Sequence, residues 1–284
     1  MANESMRENW ATGAAGWVAN QALFDAVYAP VTAAILAEAA PAAGQRVLDV
    51  GCGTGTLLEQ SAAAGAEVVG VDIAEEMAAA ARRRAPEATV LVADAQTADL
   101  LAEAPGAPFD RVVSRFGVMF FEDPAAAFAN LRRAAAPGAR LVFACWRSEA
   151  ENPVFSHGTS VLADRLDPKP EPADPDAPGP TAFADPERPA SVLAAAGWGA
   201  VSVDAFDFMC DYGIGGSDGV EERLTMILDG RTGRLAREQL VQRLGPEGWE
   251  SAVDEVRAEL IRRLVDGAVR FPVALWLVTA TNPA

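Results

Sequence analysis

The run Val47-Leu48-Asp49-Val50-Gly51-Cys52-Gly53-Thr54-Gly55-Thr56 decides the reading of this 284-residue chain. A β-branched, apolar stretch leads into three glycines at alternate positions, and a helical pattern follows to Ala64. Glycines at a strand-to-helix turn let the backbone approach a ligand closely, and the free N–H groups of the next helix suit an anionic group. Asp72 closes the next β run, EVVGVD, 21 positions after Gly51. A carboxylate there is placed to accept both hydroxyls of an adenosine ribose. Asp94 ends a third run within VADAQ, where it or its neighbouring amide is placed to read the adenine amino group. The expected ligand therefore contains adenosine and lies across the ends of parallel strands.

Working outward, strands are expected at RVLDV, EVVGVD, TVLVAD, FDRVVSRF and ARLVFACW, with helical segments between them. The helix EEMAAAARRRA places acids first and arginines last, as the helix dipole prefers. Such alternation predicts an α/β fold with a doubly wound, Rossmann-like sheet, and unbroken apolar runs such as VVGV and LVFA fit strands covered on both faces. Residues 17–40 have helical spacing interrupted at Pro30, which predicts two helices ahead of the core. Beyond Trp146, prolines crowd residues 165–190, so an extended loop is expected there. VSVDAFDF and VALWLVTA read as further strands, and residues 219–268 as helices. We expect a single domain over 1–284, with a helical cap at 1–40 and a sheet core at 41–208 and 271–284. A Pro-rich loop is expected at 151–190, and a helical lid at 209–270 with Gly213, Gly215, Gly216 and Gly219 as its hinge.

Composition narrows the chemistry. There are 23 basic and 40 acidic side chains, a net charge of −17, which disfavours nucleic acid and anionic membrane surfaces as partners. His157 is the single histidine and Lys169 the single lysine, so multi-histidine metal sites are excluded and no metal is expected. Cys52, Cys145 and Cys210 form no C-x-x-C pair, which suits a reducing cytoplasm. The N-terminus lacks an apolar targeting core, and no apolar run is long enough to span a bilayer. The glycine pattern is G-x-G-x-G, and Thr56 stands where the dinucleotide fingerprint requires glycine or alanine. No Tyr-x-x-x-Lys pair is present either, which weakens the alternative of a nicotinamide-dependent (NAD(P)) reductase on a related fold.

Taken together, VLDVGCGTG, VVGVDIAEEM, ADAQ, FDRVVSRFGVMFFEDP and LRRAAAPGARLVFACWR resemble the class I S-adenosylmethionine-dependent methyltransferases of the ubiquinone/menaquinone-methyltransferase-like group. WVANQALFD, ACWRSEAENP, DPDAPGPTAFADP and WLVTA further resemble a bacterial subgroup acting on small molecules. The resemblance implies a seven-stranded sheet with its last strand antiparallel, S-adenosylmethionine as methyl donor, S-adenosylhomocysteine as product, and a small organic acceptor, aromatic or isoprenoid-like. It implies that Asp49, Gly51, Cys52, Gly53 and Gly55 line the amino-acid portion of the cofactor. Asp72 would hold the ribose, Ile73 and Met77 would flank the adenine, and Asp94 with Ala95 would meet its edge. Ser114 and Arg115 would lie near the reacting methyl, with Trp17 and Gln21 closing over the pocket.

Each role has a competitor. Arg115 equally suits a structural ion pair, Trp17 a core position, and Asp72 a helix cap. His157, after the fifth strand, is the candidate base for a protonated acceptor, or else a capping residue. Phe116, Met119, Phe120, Trp146, Phe155, Phe206, Phe208 and Met226 are candidates to line the acceptor pocket, or core. A methyltransferase-like protein that binds the cofactor without transferring methyl is a further alternative, and a monomer or homodimer is expected. Asn152-Pro153-Val154-Phe155 looks like an amine-methylation motif, but it lies after the fifth strand rather than the fourth.

Overall fold

In the computed structural model the β-forming runs become β1 (Arg46–Val50), β2 (Glu67–Asp72), β3 (Thr89–Val92), β4 (Phe109–Arg115), β5 (Ala135–Trp146), β6 (Gly199–Asp211) and β7 (Arg270–Thr281). The structure describes residues 3–171, 174 and 177–283. Positions 172, 173, 175 and 176 of the expected Pro-rich loop lie outside the described residues, as do 1, 2 and 284. The seven strands form one sheet in the order β3-β2-β1-β4-β5-β7-β6. The first five run parallel, and β7 is antiparallel to both of its neighbours, β5 and β6. This is the expected seven-stranded sheet with its last strand reversed.

Burial follows from strand position. VVGV and LVFA are buried throughout because helices cover both faces of the central strands. β6 is an edge strand, where the polar–apolar alternation of VSVDAFDF leaves much of the strand partly exposed.

The helices are α1 (Glu4–Ala19), α2 (Gln21–Val27), α3 (Ala29–Ala39), α4 (Thr56–Ala63), α5 (Glu75–Arg84), α6 (Leu100–Glu103), α7 (Pro124–Ala134), α8 (Thr159–Ala163), α9 (Glu187–Ala195), α10 (Val220–Asp229) and α11 (Arg231–Arg262). Three helices, not two, precede β1. The chain turns at Asn20 and Tyr28, and Pro30 sits in the first turn of α3, where its missing N–H is no loss. The apolar α3 packs onto β4 and β5. Among the described residues no single helix is long and apolar enough to cross a membrane.

Part of the stretch expected as loop is also helical. Short 3₁₀ turns at Glu149–Glu151 and Pro153–Phe155 precede α8, and α9 begins at Glu187. Their apolar side chains explain this, because Val154, Leu162 and Phe183 are buried in the main core. The 209–270 region begins on β6 and ends on β7, with α10 and α11 between them. A left-handed Gly245, followed by Pro246, breaks α11.

One polar cluster ties the N-terminal helices to the sheet. Asp25 on α2 accepts from Thr56 Oγ1 at 2.6 Å and pairs with Arg84 of α5 and Arg115 at the end of β4. Arg115 also donates to Thr32 Oγ1 of α3 at 2.7 Å. Removing the Asp25 charge takes from Arg115 its carboxylate partner and leaves Arg84 paired with Glu59 alone. Breaking a fully buried pair costs roughly 3–5 kcal/mol, and partial exposure reduces this to about 2 kcal/mol. Asp25→Asn should lower urea-unfolding stability by that amount and speed amide exchange in α2 and α3. Unchanged stability would show that the cluster does not hold the cap.

Candidate active site

The turn after β1 is built by backbone contacts that exclude side chains. The Gly51 and Cys52 N–H groups both donate to Val71 O, at 2.8 and 3.1 Å, folding the turn against β2. A Cβ at Gly51 would lie 2.8 Å from the Gly117 Cα, so the turns after β1 and β4 meet backbone to backbone. Ser114 fastens the same junction: its hydroxyl donates to Val50 O at 2.7 Å and accepts from Gly117 N at 3.1 Å. Gly55 presses on Ala81 of α5, whereas Gly53, at φ 53°, has nothing within 4 Å of the Cβ position. The middle glycine therefore faces open space, and the outer two are required by packing.

Three carboxylates stand at the ends of β1, β2 and β3, which are neighbours in the sheet. Asp49 is 2 % exposed and its Oδ1 has no hydrogen-bond partner within the protein. Burial raises its carboxyl to about 7, with Arg115 pulling it down and Asp72 pushing it up. Asp72 accepts from Gly53 N at 2.8 Å and Ala74 N at 2.9 Å, so it shapes the glycine turn and the start of α5 together. Burial raises its carboxyl too, against the lowering effect of those N–H groups. Asp94 Oδ1 accepts from Asn3 Nδ2 and Gln96 N, both at 2.9 Å, while Oδ2 is buried and unpartnered. Each carboxylate has further acceptor capacity, and buried acceptors left unmatched are expensive.

Met77 lies with Ala74 beneath α1, packed against Trp10, Trp17 and Val18. Trp17 stacks on Phe24 at 3.8 Å, and Trp10 meets Phe120 edge-on at 5.2 Å. Ile73 is half-buried and Ala95 buried, and the Ala95 carbonyl accepts from Asn130 Nδ2 at 2.9 Å. Cys52 is buried with its thiol pushed well up, so it is a small inert residue in the turn. Gln21 lines a cleft of about 340 Å³ with Ala22, Asp25, Ala80, Arg83 and Arg84. The guanidinium of Arg115 is committed to Thr32, Thr56 and Asp25, and burial lowers its pKa.

On the β5 side, Phe116 has a left-handed φ of 66°, uncommon for an aromatic residue and frequent where function constrains a backbone. Its ring stacks on Trp146 at 4.9 Å and meets Tyr28 edge-on at 5.3 Å, and Trp146 meets Phe155 at 5.0 Å. Met119 is fully within the core, Met226 half-buried. His157 is not among the glycine-loop partners: Nε2 lies 3.2 Å from Arg263 Nη1 and the ring meets Phe271 edge-on at 5.2 Å. Burial, then Arg263, lowers its pKa. Asn152 bridges Ser148 O and both backbone groups of Ala274, which leaves its amide no free role. Among the described residues no group of His, Cys, Asp or Glu is arranged to hold a metal.

Sheet order, glycine turn and acidic strand ends define a Rossmann-like fold of the class I methyltransferase type. Residues 48–143 match the family described as methyltransferase domain. The chain is 41% identical over 115 residues to a ubiquinone biosynthesis O-methyltransferase of Hahella chejuensis, covering 40% of this chain and 48% of the relative. It is 35% identical over 123 residues to a demethylmenaquinone methyltransferase of Renibacterium salmoninarum, covering 43% and 48%. The chain thus spans about half the length of the curated relatives it matches. In fold it is similar to the YcgJ protein of Bacillus subtilis, with TM-score 0.56 and 18% identity over 89% of this chain and 98% of the other.

Trp10, Asn3, Asp25 and Tyr28 escaped the sequence reading, because their partners lie far along the chain and no spacing connects them. The tightness of the turns gives a direct test. Gly51→Ala should destabilise the fold by several kcal/mol, because backbone must move. Gly53→Ala, with room for the methyl, should cost only about 1 kcal/mol of stability while weakening ligand binding at least tenfold. Chemical unfolding alongside ligand titration checks this, and equal stability loss in the two variants would contradict it.

Proposed function

We propose that the chain is an S-adenosylmethionine-dependent methyltransferase acting on a small organic acceptor. The observation that carries the reading is the row of three acidic strand ends, with Asp49 Oδ1 and Asp94 Oδ2 buried and unpartnered beside a glycine turn that opens at Gly53. The cofactor supplies what these groups lack. Asp49 suits its ammonium group, Asp72 its ribose hydroxyls, and Asp94 with Ala95 the adenine edge, with Ile73 and Met77 against the ring faces. When bound, S-adenosylmethionine supplies an electrophilic methyl group: the carbon–sulfur bond breaks as the acceptor bonds to carbon, and the electron pair stays on sulfur, giving S-adenosylhomocysteine.

The chain's own part is positioning and exclusion of water. Trp10, Trp17 and Phe120 roof the Met77 side, while Phe116, Trp146, Phe155 and Tyr28 form an aromatic wall on the β5 side, suited to an apolar acceptor body. Ser114 holds the two turns in register, and Arg115 fixes the cap rather than reaching toward the methyl. Helices α10 and α11 serve as the cover over the acceptor side. Of the hinge glycines, Gly215 and Gly216 have free space at their Cβ positions, whereas Gly213 and Gly219 are packed. For an acceptor that enters protonated, His157 remains the candidate base, and its lowered pKa keeps it neutral near pH 7. The net charge of −17 supports a small acceptor over nucleic acid. Three free, buried cysteines support a reducing cytoplasm.

Calorimetry should show S-adenosylmethionine and S-adenosylhomocysteine binding at one site, no response to NADH, and at least tenfold weaker binding by Asp72→Ala. The ammonium group pairs with ionised Asp49, so affinity should rise with pH and level off above about 7. Without ligand the sign is opposite: the raised Asp49 carboxyl favours the folded state at low pH, and that contribution is lost as pH rises through about 7. Asp49→Asn should flatten both trends. Absence of cofactor binding in the wild type would remove this reading.

A further inference from the structure

Arg223 of α10 is only 5 % exposed, yet among the described residues no carboxylate pairs with it. Its Nη2 donates to the carbonyls of Val154 and, at 3.3 Å, His157, and Nε is buried without a partner. The guanidinium carbon lies 5.5 Å from the Tyr212 ring centre and 5.6 Å from that of Phe271. Arg46, buried as deeply, pairs with Glu67, and the less buried Arg115 pairs with Asp25. A buried cation with neutral partners alone carries a desolvation penalty that an anion would offset.

The surroundings are arranged as donors. Tyr212 is fully buried, and its hydroxyl makes no well-formed hydrogen bond, with Arg223 and Cys210 as its polar neighbours. Burial pushes its phenol up to about 12 and that of Tyr28 well above the usual range, so both stay protonated. Tyr28 and Tyr212, the two tyrosines of the chain, are both buried in the main core, where the charge of one would oppose ionisation of the other. Tyr28 also touches Phe116, whose neighbour Gly117 abuts Gly51. The cluster therefore continues from the glycine turn across the aromatic wall to α10.

We infer that Arg223, Tyr212 and Tyr28 form the acceptor-recognition site, and that the acceptor is a small organic acid whose carboxylate is held by Arg223 while its apolar body lies on Phe116 and Trp146. The inference rests on the methyltransferase reading and names the substrate class of that site. Arginine suits this task because its planar fork meets a carboxylate through two parallel hydrogen bonds. Entry requires movement of α10, the element that carries Arg223, which gives the helical cover a substrate-linked role. On a chain of net charge −17, a local cation favours retention of an anion.

The test is titration of benzoate, 4-hydroxybenzoate, cinnamate and octanoate, each beside its methyl ester, into the full chain with and without S-adenosylhomocysteine. At least one acid should bind one-to-one and raise the Tm, with its ester at least tenfold weaker. Arg223→Lys should weaken that acid and Arg223→Met should abolish its binding, with S-adenosylhomocysteine affinity unchanged in both. Failure of every acid to bind, equal binding of ester and acid, or wild-type affinity in Arg223→Met would overturn the site. If Arg223→Met does not fold, the wild-type contrast of acid with ester and the Arg223→Lys variant decide. Arg223-dependent acid binding without any S-adenosylhomocysteine binding would keep the site and remove the methyltransferase reading. Cofactor binding without acid binding would do the reverse.

Discussion

The turns after β1 and β4 touch through bare backbone, Gly51 against Gly117, and the rest of the site depends on that contact. No side chain fits between them, so both positions must be glycine if β1 and β4 are to end side by side. The Ser114 hydroxyl locks the junction by bonding to both turns. From it the backbone runs one way into the open Gly53 turn and the helix α4. The other way, it runs into the strained Phe116 and the aromatic wall. A bulkier junction would separate the two halves of the site.

Burial of acids at the strand ends follows from the same geometry. In a parallel sheet covered by helices on both faces, the carboxyl ends of the strands open into a crevice, and side chains there are sheltered but not packed. Asp49 and Asp72 accordingly have raised carboxyls, dominated by desolvation. Such groups are costly to the free protein and become favourable when a ligand supplies donors or positive charge. On the proposed function, part of the binding free energy is stored in unmatched acceptors, and the inferred Arg223 site repeats the device with the opposite sign.

Much of this was legible in the chain because it is written locally. The glycine turn, the β/α alternation and the acids at Asp49, Asp72 and Asp94 all sit at fixed short offsets from one strand, and the edge character of β6 shows in its two-residue period. The N-terminal region was less legible. Pro30 reads as a helix breaker, yet at a helix start it is harmless, and the true breaks at Asn20 and Tyr28 carry no strong signal. Least legible were roles set by pairing across the chain. Arg115 is defined by Asp25, 90 positions away, and Arg223 by having no such partner among the described residues. Neither a present nor a missing counterion can be read from spacing.

The central claim is that the acidic strand ends and the Gly53 turn together form a cofactor cradle. A crystal structure of the chain grown with S-adenosylhomocysteine tests it most directly. The account predicts the amino group within hydrogen-bond distance of Asp49, both ribose hydroxyls on Asp72 and the adenine edge at Asp94, with the Gly51–Gly117 contact intact. Ligand density elsewhere, or bound ligand that leaves Asp49 and Asp94 without new partners, would contradict it.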